Sequence, residues 1–183
     1  MLRRPLAAAL AAPILLLACS EAGGTADGGE ASAPDTAAAP ARPHVAAASP
    51  VEAGAYLVRV AGCHDCHTDG WLQAAGQVPR SGWLTGSAVG FRGPWGTTYP
   101  SNLRLTVQRV TEDRWVEMMR TRSQKPPMPW FNLHGMSERD LRATYRFIRT
   151  LGAPGEPVPA SLPPGEPPST PYYDFVPKTP EGS

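Results

Sequence analysis

The chain has 183 residues, room for about one domain, with 22 Pro, 18 Gly, 18% charged residues and a formal net charge of +1. It lacks the basic patch or basic arm that neutralises phosphates, which excludes a nucleic-acid binder, and a near-neutral surface gives no strong field to steer a charged partner. So much Pro and Gly also means that not all of the chain can be core.

Residues 1–18, MLRRPLAAALAAPILLLA, combine two arginines, an apolar run and a small-residue cleavage region. This is the pattern of an export signal, too short to persist as a bilayer span, and it predicts a periplasmic protein. The run ends in LLAC, which resembles the lipobox of bacterial lipoproteins. The resemblance implies that Cys19 is lipidated, becomes the new N-terminus and anchors the protein to a membrane. Two of the three cysteines sit together at positions 63 and 66, so lipid on Cys19 leaves no odd thiol in an exported chain. Loss of Arg3 and Arg4 leaves 15 basic against 16 acidic side chains, a net charge near −1.

Residues 19–50 read as a tether: positions 20–50 hold 11 Ala and no Leu, Ile, Phe, Trp or Tyr, too little apolar surface to offset ordering entropy. Its coil reach is on the order of 30 Å. The folded domain is expected over residues 51–152. A first helix, VEAGAYLVRVAG, places Ala53, Tyr56, Leu57 and Val60 on one face. A second follows Thr111 as EDRWVEMMRTR, with Glu112 and Asp113 at its start, Arg120 and Arg122 at its end, and Trp115, Met118 and Met119 as its stripe. A third begins at Ser137, paired with Asp140 as a capping box, carries Leu141, Tyr145 and Ile148, and stops before Gly152 and Pro154. No segment alternates with period two, and Gly76 to Gly96 reads as a long functional loop. Residues 153–183, with 10 Pro, read as an extended tail. The expected fold is therefore small, all-α and loop-rich, with a core too thin for its length unless a large apolar group fills it.

The stretch AGCHDCHTDG, residues 61–70, concentrates two cysteines and two histidines. Zinc needs four ligands, usually as two separated pairs, and the chain has no second Cys pair; His44 and His134 fall in the tether and in a loop. A redox dithiol belongs in a βαβ setting, whereas this pair follows a helix. Cys-x-x-Cys-His is the spacing of covalent haem attachment: Cys63 and Cys66 form thioethers and His67 binds iron. Export agrees, because such attachment takes place outside the bacterial cytoplasm. His64 is expected to point away from the anchored face into solvent.

A second axial ligand must come from elsewhere, and Met goes with a raised potential. Met118 and Met119 suit a helix core, and Met136 suits a staple against Leu141. Met128 stands apart, because KPPMPW fixes it between prolines in a segment that cannot become helix.

A helix leading into Cys-x-x-Cys-His, an aromatic Gly-rich loop, a Met loop and a capped final helix together resemble a class I cytochrome c over Val51 to Gly152. The segments GPWGTTYPSN and PPMPWFNLHGMSERDLRATYRFIRTLG are similar to monohaem c-type cytochrome domains that accompany periplasmic dehydrogenases and other respiratory chains. The resemblance implies a class I cytochrome c fold around one covalent haem c, with His67 and Met128 as axial ligands. It also implies Tyr99 and Asn102 as pocket residues and the Pro79 carbonyl as acceptor of the His67 Nδ1 hydrogen bond. Trp71, Trp83, Phe91, Trp95 and Trp130 wall the haem or belong to the core.

The function expected is electron transfer between redox proteins such as a dehydrogenase, an oxidase or another cytochrome, with no catalytic residues. The alternative is a haem enzyme or ligand-binding sensor in which the axial Met is displaced. The anchor is tested by Cys19→Ala, which is expected to move the protein into the soluble fraction or block its processing; unchanged membrane partition counts against it.

Overall fold

The structure, a computed structural model, describes residues 42–180. The expected signal peptide, Cys19 and the tether as far as residue 41 lie outside the described residues.

Helix α1 (Pro50–Val60) begins where Ser49 accepts the Glu52 N–H at 3.2 Å and Pro50 occupies the first turn, where its missing N–H leaves no bond unmade. Its buried face is Ala53, Gly54, Leu57 and Val58. Tyr56 and Val60, expected on that face, are 55% and 57% exposed. Gly54 accounts for the rotation. The backbone of α6 (Glu138–Thr150) passes so close that a Cβ at position 54 would lie 2.1 Å from the Ala143 carbonyl oxygen and 2.7 Å from Phe147 Cβ. The absent side chain therefore sets which stripe of α1 is buried.

Helix α6 starts as expected: the Ser137 hydroxyl accepts the Asp140 N–H at 3.1 Å. The other half of the capping box does not form, because the Asp140 carboxylate takes the Val45 N–H at 3.0 Å. Arg42 adds bonds to the His134 and Met136 carbonyls, and His44 meets Arg139 at 2.9 Å. The expected tether thus ends earlier than residue 50, since residues 42–49 are fastened to α6 and its approach. Leu141 and Ile148 are buried, while Tyr145 is half-buried and donates to the Val110 carbonyl at 3.0 Å.

Helix α4 (Glu112–Thr121), capped by Thr111, buries Trp115, Val116 and Met118, and Met119 packs against the core. Glu112 joins it to α6 through Arg142 at 3.3 Å and Arg146 at 2.8 Å. The arginine hydrogen bonds hold the Glu112 carboxyl below its ordinary range. Three short helices were not anticipated: α2 (Cys63–His67), α3 (Leu103–Arg109) and α5 (Trp130–Gly135). His134, expected in a loop, sits on α5 and meets the Arg122 carbonyl at 3.2 Å. The main core joins Val58, Leu84, Val107, Trp115, Phe147, Ile148 and Leu151.

The all-α expectation is corrected. Among the described residues, a three-stranded mixed sheet of order β2-β1-β3 lies beside six helices. Strands β1 (Gly90–Gly93) and β2 (Gly96–Thr98) form an antiparallel hairpin within and just beyond the supposed loop, and β3 (Tyr172–Asp174) pairs parallel to β1, with Phe91 opposite Tyr173. Strands of three or four residues containing Gly are too short to display period-two alternation, and β3 is hidden among prolines that flank it without entering it. The tail is likewise more than an extension: Leu162 and Thr97 exchange backbone hydrogen bonds at 2.9 and 3.0 Å. Gly96 permits this crossing, at φ +98° with Leu162 O only 2.1 Å from where a Cβ would stand. The folded unit therefore extends beyond residues 51–152 on both sides. Among the described residues, no helix is long and apolar enough to cross a membrane.

Gly54→Ala is expected to cost roughly 1–3 kcal/mol, the range for overpacking, read as a lower urea midpoint. Gly135→Ala, where a Cβ would meet nothing within 4 Å, serves as the control and is expected to leave the midpoint unchanged or raised. Equal midpoints for Gly54→Ala and the parent would show that the two helices separate freely.

Candidate cofactor site at the Cys-x-x-Cys-His segment

Gly62, at φ +69°, ends α1 and turns the chain directly into α2, so the direction of α1 governs where the cysteines point. Cys63 packs against the main core, while Cys66 lines a cavity of about 110 Å³ with Asp65, Trp71, Leu72, Phe91, Pro100 and Tyr173 among its walls. Both cysteines are free thiols. Burial pushes the Cys63 thiol up to about 11, and burial followed by the Asp65 charge raises Cys66. Reactive dithiols show the opposite, a lowered value that supplies thiolate.

His67 ends α2 and is buried. Its Nδ1 lies 2.7 Å from the Ser101 carbonyl oxygen; since a carbonyl only accepts, Nδ1 carries the proton and Nε2 keeps its lone pair. Burial lowers the His67 pKa, and the Ser101 bond opposes that shift. The expected acceptor was Pro79, and this is corrected: the Pro79 carbonyl accepts the Gly82 N–H at 2.9 Å, closing the 3₁₀ turn Arg80–Gly82. Ser101 is brought in because residues 84–87 and 100–103 are laced together, with Leu103 N–H to Leu84 O at 3.0 Å and Ser87 N–H to Pro100 O at 3.2 Å. The Gly86 N–H then closes on the His67 carbonyl at 2.8 Å.

His64 does not face solvent as expected; it is 1% exposed. Its ring stacks on Trp71 at 4.1 Å and meets the Trp83 edge at 5.0 Å, and its Nδ1 shares a 2.8 Å hydrogen bond with the Thr68 hydroxyl. Burial, then the Arg59 charge, then His67, push its pKa down to about 4. Trp71 and Trp83 therefore serve this histidine.

Met128 is half-buried in the connection between α4 and α5, its carbonyl accepting the Trp130 N–H at 2.9 Å. The Thr98 hydroxyl donates to the Pro126 carbonyl at 2.8 Å, and Lys125 reaches the Trp95 carbonyl at 3.3 Å. The Met128 segment is thus tied to Thr98, three residues before Ser101, so one extended stretch holds both the His67 and the Met128 sides. Met118 is buried in α4, and Met136 leans on Ala53, Leu57 and Ala143, which leaves both in structural roles.

Trp95 Nε1 and Thr97 Oγ1 are buried with no hydrogen-bond partner among the described residues; such orphaned groups are costly unless an acceptor arrives. Tyr99 and Asn102, expected in the pocket, are otherwise engaged. The Tyr99 hydroxyl meets Thr170 at 3.1 Å. Asn102 caps α3 by accepting the Leu105 N–H at 3.1 Å and donates to the Pro154 and Glu156 carbonyls. Ser101 and Tyr173 were missed. Ser101 acts through its backbone, which no residue type advertises, but the aromatic run YYDF within a Pro-rich tail was a signal for Tyr173.

Comparison with protein-family models, with curated proteins and with solved structures yields no match to this chain.

The His64 pKa is depressed in the folded state, so below its ordinary value of 6.5 the unfolded chain binds a proton that the folded one refuses. Stability is therefore lost as pH falls from about 6.5 toward 4. Between pH 8 and pH 5 the expected loss from this group is about 2 kcal/mol, read from urea unfolding. His64→Gln should flatten the pH dependence across that window; an identical slope in parent and variant refutes the assignment.

Proposed function

We propose that this chain is a monohaem c-type cytochrome that passes single electrons between redox protein partners outside the cytoplasm. The observation that carries the reading is His67: it ends the short helix bearing both free thiols, and its Nδ1 proton is committed to Ser101, leaving Nε2 for a metal. The residues suit haem c in three further respects. Cys63 and Cys66 are protonated, unpaired thiols three residues apart, able to add across two vinyl groups as thioethers. Trp95 Nε1 and Thr97 Oγ1 are buried donors that lack an acceptor among the described residues, of the kind a carboxylate substituent would provide. Met128 offers a soft ligand from a segment already tied to the hairpin.

When bound, haem supplies one-electron exchange between ferric and ferrous iron, and His/Met ligation goes with a raised potential. The chain's own tasks are positional. The Ser101 carbonyl orients the His67 ring and raises its basicity as a ligand. The Thr98–Pro126 bond limits the excursions of the Met128 segment, which would keep small the entropy cost of holding its thioether on a metal. No acid–base pair or nucleophile is required for this work, and none is assigned.

Met128→Ala is expected to abolish the weak ferric charge-transfer band of iron–sulfur ligation, lower the potential and open the iron to carbon monoxide. Met136→Ala should keep the band and cost roughly 1–2 kcal/mol of stability. The reverse pattern would move the ligand to Met136. Carbon monoxide binding by the unaltered protein would favour a ligand-binding haem protein instead.

A further inference from the structure

A Pro-rich segment cannot satisfy its backbone internally, because it lacks N–H donors and its extended form makes no internal hydrogen bonds. Residues 153–178 are nevertheless fastened to the domain at successive points. Asn102 holds the Pro154 and Glu156 carbonyls, Thr97 pairs with Leu162, Tyr99 meets Thr170, Gly90 donates to the Pro171 carbonyl at 2.8 Å, and Phe175 donates to the Arg92 carbonyl at 2.8 Å. The last two bonds flank β3 and fix its register on β1. That register puts Tyr173 beside Phe91, with ring centroids 5.5 Å apart. The Tyr173 hydroxyl accepts from Gln73 Nε2 at 2.8 Å. Tyr173, Phe91 and Gln73 all line the cavity onto which Cys66 opens.

We infer that the C-terminal tail covers the Cys66 side of the cofactor site, with Tyr173, itself 45% exposed, as a positioning residue whose inner face holds water off that cysteine. This deepens the haem reading and rests on it for the identity of what is shielded. Tyr173 touches no reacting atom in this account; it acts by holding solvent off. Removing an aromatic wall from one side of a haem admits water, which favours the charged ferric state, so the potential falls. Phenylalanine preserves the wall and loses only the bond to Gln73.

The test uses the purified full-length protein as parent, Tyr173→Ala, Tyr173→Phe, a chain ending after Pro167, and Val176→Ala, an exposed tail residue outside the cavity, as control. In haem-loaded protein, Tyr173→Ala and the shortened chain should show a lowered reduction potential and a several-fold faster reoxidation of the ferrous form by ferricyanide. Tyr173→Phe and Val176→Ala should match the parent in both. Backbone amide exchange at Gly90 should quicken in the shortened chain alone, which separates loss of the strand from loss of the ring. If the parent carries no haem, the electron-transfer reading fails but the wall is still read, as a several-fold faster iodoacetamide labelling of Cys66 in Tyr173→Ala. An unchanged potential and reoxidation rate in loaded Tyr173→Ala, or unchanged labelling in haem-free Tyr173→Ala, overturns the inference. So does a Tyr173→Phe variant that behaves like Tyr173→Ala.

Discussion

The contact between Gly54 and the backbone of α6 is the constraint from which the rest follows. Helices pack at 8–10 Å depending on the side chains at their crossing, and a residue without Cβ lets Ala143 O and Phe147 come into the space a side chain would occupy. This approach decides that Leu57 and Val58 face the core and that Tyr56 and Val60 do not. It also aims the end of α1, and Gly62 converts that direction at once into the start of α2. The position of both thiols and of His67 is thereby inherited from a packing contact more than one helical turn away. The arginine and carboxylate network between α4 and α6 reinforces the same framework, but its members are largely exposed, so it contributes little per pair.

The second organising element is a short stretch of backbone, residues 98–102. Thr98 holds the Met128 segment, Tyr99 and Asn102 hold the tail, and Ser101 holds His67. The stretch is kept extended by β2 before it and by the α3 cap after it. A rigid connection that serves several neighbours suits a redox centre, where a fixed ligand geometry limits rearrangement on electron exchange. In the proposed function this stretch would therefore be a mounting for the ligands.

Cations gather around Trp83 without carboxylate partners among the described residues. Arg59 lies 5.6 Å from the Trp71 centroid and 6.0 Å from that of Trp83, and Arg80 lies 5.4 Å from Trp83. Arg104 is buried and satisfied by carbonyls, at 2.8 Å from Ser81 O and 3.3 Å from Gly152 O. Burial and Arg80 lower its pKa, yet a guanidinium stays charged at any ordinary pH. Aromatic faces and peptide dipoles thus carry this positive charge, of which Arg59 adds to burial in keeping His64 neutral.

What could be read in one dimension was whatever depends on neighbours along the chain. The caps at Thr111 and Ser137, the stripes of α4 and α6, and the end of α6 before Gly152 follow from local periodicity and hydrogen bonding. The clustering of Cys63, Cys66 and His67 was likewise legible, because all three fall within five consecutive positions. Tertiary structure decided the remainder, for one physical reason: those features are bonds between backbone groups or rings far apart in sequence. The pairing of β1 with a strand some 80 residues later, the choice of Ser101 over Pro79 for His67, and the burial of His64 between Trp71 and Trp83 have no local signature. A carbonyl is the same group at every position, so only the fold determines which one reaches the histidine.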